Sequence, residues 1–272
     1  MIDAASLAAE LMAAYARRQP VATPSSRDPA FDLAAGYAVE SELLRLRGAG
    51  GHAPVGRKVG YANKALWRVL KLDTVVWAHM YDDTVHYARA GVASLSIGRM
   101  FSPKIEPEIV FKIRTDAARL GGGESVDAAA ALAACEWIAL GFEIIDCVYP
   151  NWRFQPADFV AALGLHAGLV VGEPRPIDPT IIDQLPRLKV RLLKNGELVE
   201  EGSGRNVLRS PALCLAELAS ATARQRPPEP LGPSEIISTG TMTESQPIGQ
   251  GQTWTAEVDG LDGARLTLRV EN

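Results

Sequence analysis

Ile105-Glu106-Pro107-Glu108-Ile109-Val110-Phe111 sets two carboxylates one residue apart in a branched and aromatic run, and Gly141-Phe142-Glu143-Ile144-Ile145 encloses a third. Both runs have the composition of β-strands. Residues i and i+2 of a strand project to the same face, so Glu106 and Glu108 aim at one small volume. Alternating Ile and Glu is also the pattern of a half-exposed antiparallel strand. Glu143 is different, because Trp137-Ile138-Ala139-Leu140 before it and Ile144-Ile145 after it are too apolar for a solvated face. A lone buried Glu can pair with an Arg or with backbone amides. Three together need a cation, and oxygen ligands suit Mg²⁺ or Mn²⁺.

Outward from these runs, the chain from about residue 104 reads as strand-rich. Segments 105–113, 135–148, 167–171, 188–200, 235–239, 253–258 and 264–270 have branched apolar content and turn punctuation. Asn195-Gly196 signals a hairpin, because both residues tolerate positive φ, and Asp259-Gly260-Leu261-Asp262-Gly263 signals a second. Helices are expected at 125–133, 156–164 and 210–224, the last with Ser210 at its cap and Pro211 at its first position. Upstream, 3–17 and 29–47 have helical apolar spacing and are separated by a turn at Pro24-Ser25-Ser26; a third helix capped by Asn63 follows. Arg226-Pro227-Pro228-Glu229-Pro230 reads as a stiff linker. The expected class is α+β: a helical N-terminal section, 1–72, and a β-rich, mixed-sheet catalytic domain, 73–272.

With 28 basic and 32 acidic residues, net −4, the chain has no basic excess for nucleic acid and no polybasic segment for a membrane surface. Small molecules or copies of itself are the expected partners. Cys135, Cys147 and Cys214 are widely spaced, form no CxxC pair and lie in apolar surroundings, as reduced core residues do. Met1-Ile2-Asp3 opens directly into an amphipathic helix, and apolar runs are broken by Glu, Asp or Gly. A soluble cytoplasmic protein is expected.

Outside the carboxylates, Lys58 lies in Val55-Gly56-Arg57-Lys58-Val59-Gly60, read as a short strand, between Gly56 and Gly60, where backbone can approach a ligand closely, although a surface lysine fits the same spacing. Asp82-Asp83 follows the aromatic run Trp77-Ala78-His79-Met80-Tyr81, a position that suits turn capping as well as chemistry. His79 and His86 are too far apart for an HExxH zinc site. Gly121-Gly122-Gly123 and Gly249-Gln250-Gly251 lack the frame of a phosphate loop and read as turns. There is no GxSxG elbow to support covalent catalysis.

Gly56-Arg57-Lys58-Val59-Gly60, Tyr81-Asp82-Asp83, Glu106-Pro107-Glu108, Glu143-Ile144-Ile145-Asp146, Trp152-Arg153-Phe154 and Ser238-Thr239-Gly240-Thr241, in that order, resemble the 2-keto-4-pentenoate hydratases and 4-oxalocrotonate decarboxylases of the fumarylacetoacetate hydrolase superfamily. The resemblance implies that superfamily's C-terminal fold and a hydro-lyase of aromatic catabolism acting as a homo-oligomer. Its substrates are 2-hydroxy-2,4-dienoates, whose carboxylate and 2-oxygen can chelate an ion. Water adds conjugate to the carbonyl to give a 4-hydroxy-2-keto acid. It further implies Glu106, Glu108 and Glu143 as Mg²⁺ or Mn²⁺ ligands, Lys58 and Asp83 as proton-transfer residues, and Arg57 and Thr241 as substrate-binding. Many of these hydratases have Asn-Ala-Ser-Ser where this chain has Leu163-Gly164-Leu165-His166, making His166 a candidate substituted acid/base. The same scaffold also accommodates decarboxylation of a 2-oxo-enedioate, hydrolysis of an acylpyruvate C–C bond, or a non-catalytic partner subunit.

Overall fold

Asp3 and Asp32 start the two long N-terminal helices, Ala4–Arg17 and Leu33–Ala49, each accepting a backbone N–H three residues on. The computed structural model describes residues 2–121, 126–178 and 180–272. Gly122 and Gly123 of the expected turn, and residue 125 of the expected 125–133 helix, lie outside them; the described helix runs Ala128–Ala133 with Asp127 at its cap. Pro24-Ser25-Ser26 is not a simple turn but opens a one-turn helix, Pro24–Arg27, because proline is pre-set for the first helical position. The third helix is shorter than expected: Asn63 caps a 3-10 turn, Lys64–Leu66, and Trp67–Leu70 ends at Lys71 with φ 56°.

Strands begin well before residue 104. The larger sheet has the order Val76–Tyr81, Pro54–Gly60, Ile236–Thr241, Lys104–Ile113, Cys135–Ile145, His166–Val171, Val85–Tyr87. Val76–Tyr81 is buried along its whole length, so its sequence shows no polar alternation to mark it. Pro54–Gly60 precedes residue 72 in sequence, yet it pairs in parallel with Ile236–Thr241 and antiparallel with Val76–Tyr81. Gly56 permits that parallel contact, since a Cβ there would meet the Ile236 carbonyl at 1.9 Å. The first and last strands of the order are joined by the turn Asp82-Asp83-Thr84, which forces the sheet to curl and gives it an inner face. Along the Val76–Tyr81 edge, Tyr37 Oη accepts the Trp77 N–H at 3.2 Å and Glu40 accepts the His79 N–H at 3.1 Å. Helix Leu33–Ala49 thus covers ladder groups that would otherwise stand open.

The second sheet, Glu197–Ser203, Lys189–Lys194, Thr253–Asp259, Ala264–Glu271 and Val92–Ser96, contains both expected hairpins, and Asn195 and Gly196 have φ 52° and 86°. Its inward residues Leu192, Trp254, Ala256, Leu266 and Leu268 join one core with Ile105, Ile109 and Phe111 of the larger sheet. Each large side chain so buried contributes about 1.5–3 kcal/mol. Pro211–Ala223 packs Cys214, Leu215 and Leu218 into this core. Cys135, Cys147 and Cys214 are buried and free. Among the described residues no helix is long and apolar enough to cross a membrane.

Candidate metal centre

The antiparallel register sets Glu106 directly opposite Glu143 and Glu108 opposite Gly141. Period-two geometry then brings all three glutamates to one face, and their carboxylates each offer an oxygen within 4.8 Å of the others. Glu108 and Glu143 are fully buried. Glu108 Oε2 accepts from Ser238 Oγ and, at 2.8 Å, from the Gly240 N–H, while its Oε1 has no hydrogen-bond partner. Glu143 Oε1 lies 3.1 Å from His166 Nδ1; its Oε2 lies 3.1 Å from Lys58 Nζ, an ion pair without hydrogen-bond geometry. Two buried carboxylate oxygens without a hydrogen bond, in a cluster of three hard anionic ligands, fit a divalent cation.

Lys58 reaches this cluster from Pro54–Gly60, and its Nζ donates to the Gly164 carbonyl at 3.0 Å. Gly164, φ 61°, sits between Leu163 and Leu165, whose φ of 56° and 57° are also left-handed. Two consecutive-but-one leucines held there cost about 1–2 kcal/mol each, and the conformation aims the Gly164 carbonyl inward. A Cβ at 164 would lie 2.9 Å from both Lys58 Cδ and Ala78 Cβ. Gly164→Ala is therefore expected to cost about 1–3 kcal/mol in stability. By displacing Lys58 it should also lower turnover by about 10-fold or more, read from thermal melts and initial rates.

Burial, then mutual repulsion, raises the Glu106 carboxyl to about 8; burial and Glu143 do the same to Glu108. Burial raises Glu143 as well, against the pull of Lys58. Burial alone would lower the Lys58 ammonium, but the three glutamates more than reverse it and hold it above its ordinary value. Burial and Lys58 push His166 down to about 3, so its ring is neutral. In the metal-free protein Glu106 and Glu108 keep protons when folded that they have lost when unfolded, between 4.5 and about 8. Their contribution to stability is thus full below 4.5 and lost as pH rises through 8. A cation must displace those protons, so its binding strengthens with pH across the same window. Melting of EDTA-treated protein should fall from about pH 5 to about pH 9, with added Mn²⁺ raising it most at the alkaline end. A melting temperature indifferent to Mn²⁺ throughout would contradict this.

A cavity of about 560 Å³ opens onto the cluster, lined by Lys58, Glu106, Glu108, Thr241, Trp152 and Phe159 among others. Lys58 from the 1–72 section and the glutamates and Thr241 from 73–272 thus meet at one site. Thr241 Oγ1 faces it while bonded to the backbone of Thr243. Arg57 does not: the residue next to Lys58 on a strand points to the opposite face, where Arg57 lies 3.4 Å from Glu235 and 3.8 Å from Glu229, over the Trp77 ring. Asp83 does not either, since its partly exposed carboxylate pairs with Arg47 and His52. His166 is buried and touches Glu143, behind the cavity wall. Sequence reasoning overlooked Thr84, Phe159 and the role of Ser238, although Ser238 opens the quoted Ser-Thr-Gly-Thr segment.

No protein-family model matches the chain. It is 28% identical to a 2-hydroxyhexa-2,4-dienoate hydratase of Comamonas testosteroni, over 86% of this chain and 85% of that one. It is 30% identical to a 4-oxalocrotonate decarboxylase of Pseudomonas sp. strain CF600, over 86% and 84% respectively. The solved 4-oxalocrotonate decarboxylase from Pseudomonas putida G7, complexed with magnesium and adipate, superposes with a TM-score of 0.88 at 26% identity, covering 98% of this chain and 97% of that one. A fumarylpyruvate hydrolase from Pseudomonas aeruginosa, in complex with Mn²⁺ and pyruvate, shares the fold at 17% identity and a TM-score of 0.59, covering 79% of this chain and 88% of that one.

Proposed function

The chain belongs to the family of 2-keto-4-pentenoate hydratases and 4-oxalocrotonate decarboxylases, and from that membership we infer a divalent-metal-dependent hydro-lyase that adds water to a 2-hydroxy-2,4-dienoate, giving a 4-hydroxy-2-keto acid. The observation that carries the reading is the glutamate triad, with Glu108 and Glu143 fully buried and Lys58 at its edge, met by a cavity that Glu106, Glu108 and Lys58 line. Glu106, Glu108 and Glu143 would hold Mg²⁺ or Mn²⁺, which supplies Lewis-acid polarisation of the substrate's 2-oxo and carboxylate oxygens.

The remaining work falls to this chain's own side chains. Lys58, charged and facing the cavity, holds a proton at Nζ for delivery to the dienol carbon and offsets the substrate carboxylate. Thr241, whose hydroxyl donates to the Thr243 carbonyl, would turn that proton to the substrate carboxylate. Trp152, Phe154, Phe159 and Leu165 form an apolar wall for the diene that limits water to the reacting end. Neither Arg57 nor Asp83 is given a role, because neither faces the cavity.

A second reading, decarboxylation of a 2-oxo-enedioate, is favoured by the likeness to the decarboxylases. The cavity wall favours the monoacid: Glu200, Glu201 and Glu244 stand on it against the cation Lys104, and a second substrate carboxylate would meet them. With Mg²⁺ and 2-hydroxypenta-2,4-dienoate, loss of the dienol absorbance should accompany appearance of the 4-hydroxy-2-keto acid by NMR. The kcat/KM for the monoacid should exceed that for the diacid by about 10-fold or more. Ketonisation without a new hydroxyl, or faster CO₂ release from the diacid, would reject hydration. The three free, buried cysteines support a cytoplasmic location. A homo-oligomer is supported by the family resemblance and is checked by light scattering.

A further inference from the structure

His166 opens the strand His166–Val171 opposite Ile145, and its ring lies between Glu143 and the turn Asp82-Asp83-Thr84 that joins the ends of the curled sheet. Nδ1 is 3.1 Å from Glu143 Oε1 and Nε2 is 2.9 Å from Thr84 Oγ1. Thr84 is itself anchored, since its Oγ1 accepts the Tyr81 N–H at 3.2 Å and donates to the Tyr81 carbonyl at 3.0 Å. An ionised carboxylate can only accept, so Glu143 assigns the proton of a neutral ring to Nδ1, and Nε2 then shares the single Thr84 hydroxyl proton with the Tyr81 carbonyl. The His166 side chain is 2% exposed and does not line the cavity, so its ring does not reach a substrate bound there.

We propose that His166 is a positioning residue rather than an acid or base: its Nδ1–H holds Glu143 Oε1 and leaves Oε2 facing Lys58 and the position the three glutamates share. This rests on the metal-dependent reading of the site. Without that bond, nothing on the far side opposes Lys58, and the Glu143 carboxylate can turn both oxygens to the ammonium. The bidding of Lys58 for Glu143 then competes directly with the cation. Outer partners of this kind are worth about 10- to 100-fold in metal affinity.

The test is Mn²⁺ titration of the full chain, followed by calorimetry and by the EPR signal of free Mn²⁺. His166→Ala should raise the Kd for Mn²⁺ by about 10- to 100-fold. His166→Asn, whose amide nitrogen can stand near the Nδ1 position, should recover most of the affinity, and Thr84→Val should weaken it less than His166→Ala. Wild-type affinity in His166→Ala would overturn the proposal. So would an Asn variant as weak as the Ala variant, because packing rather than the hydrogen bond would then be responsible. If His166→Ala does not fold, His166→Asn and Thr84→Val decide alone: near-wild-type affinity in the first with a measurable loss in the second supports the bond, and the reverse overturns it. Failure of the wild type itself to bind Mn²⁺ is a separate result that removes the metal reading beneath.

Discussion

Glu108→Gln should abolish Mg²⁺ and Mn²⁺ binding and lower dienoate turnover by about 10³-fold or more, a loss of about 4 kcal/mol. The donors already present around Glu108 dictate this outcome. Ser238 Oγ and the Gly240 N–H both donate to Glu108 Oε2, so a glutamine must give its carbonyl oxygen to them. Its amide NH₂ then occupies the place of the partnerless Oε1 and points two protons at the site of the cation. The same change removes one of three mutually repelling carboxylates. Metal-free Glu108→Gln should therefore melt higher than the metal-free wild type at alkaline pH, where the wild-type carboxyls are forced to ionise. Lost activity with raised stability separates a damaged site from a damaged fold. Metal-dependent turnover retained within about 10-fold would rule out Glu108 as a ligand.

Lys58→Met should be nearly as damaging to rate and opposite in its effect on stability. Lys58 Nζ is the cation facing Glu143 from a buried position, and removing one member of a buried ion pair costs about 3–5 kcal/mol. The metal-free variant should melt well below wild type. Added Mn²⁺ should recover much of that loss, since the three ligands remain and the cation takes over the neutralising role. Turnover should stay down by about 10²–10⁴-fold even with saturating metal, because no proton carrier faces the diene. Lys58→Arg should not rescue it, because the space beside Lys58 Cδ will not admit even a methyl group on Gly164, and a planar fork cannot replace a compact ammonium. Wild-type turnover by Lys58→Met in saturating metal would exclude a proton-transfer role.

Much of this centre can be read from the chain because its key relation is local. Glu106 and Glu108 share a face by the two-residue repeat of a strand, and the apolar setting of Glu143 announces a buried carboxylate. The same repeat, applied to Arg57 and Lys58, separates them to opposite faces, yet the resemblance groups them as one motif. Asp83 illustrates a different limit: Arg47 and His52, its partners, lie on and just after a helix far back in sequence, and no local pattern marks that pairing. Ser238 and Gly240 become partners of Glu108 only through the pairing of Ile236–Thr241 with Lys104–Ile113, across a separation of 130 residues. The strand Val76–Tyr81 escapes a periodicity reading because it is buried along its whole length, and the helix that bears Tyr37 and Glu40 covers its open edge. The left-handed turn at Leu163-Gly164-Leu165 has no marker beyond its one glycine, and two leucines are held there by the packing around them.

The central claim is that Glu106, Glu108 and Glu143 share one ion, and the most direct test is a crystal structure of the protein with Mn²⁺ and oxalate, located by anomalous scattering. A peak about 2.1 Å from an oxygen of each glutamate, with oxalate on the cavity side next to Lys58, is the predicted result. The other described cluster with metal-ligating groups within reach of one another is His52-Asp82-Asp83. Manganese bound there, or nowhere, with the three glutamates left bare, would contradict the account.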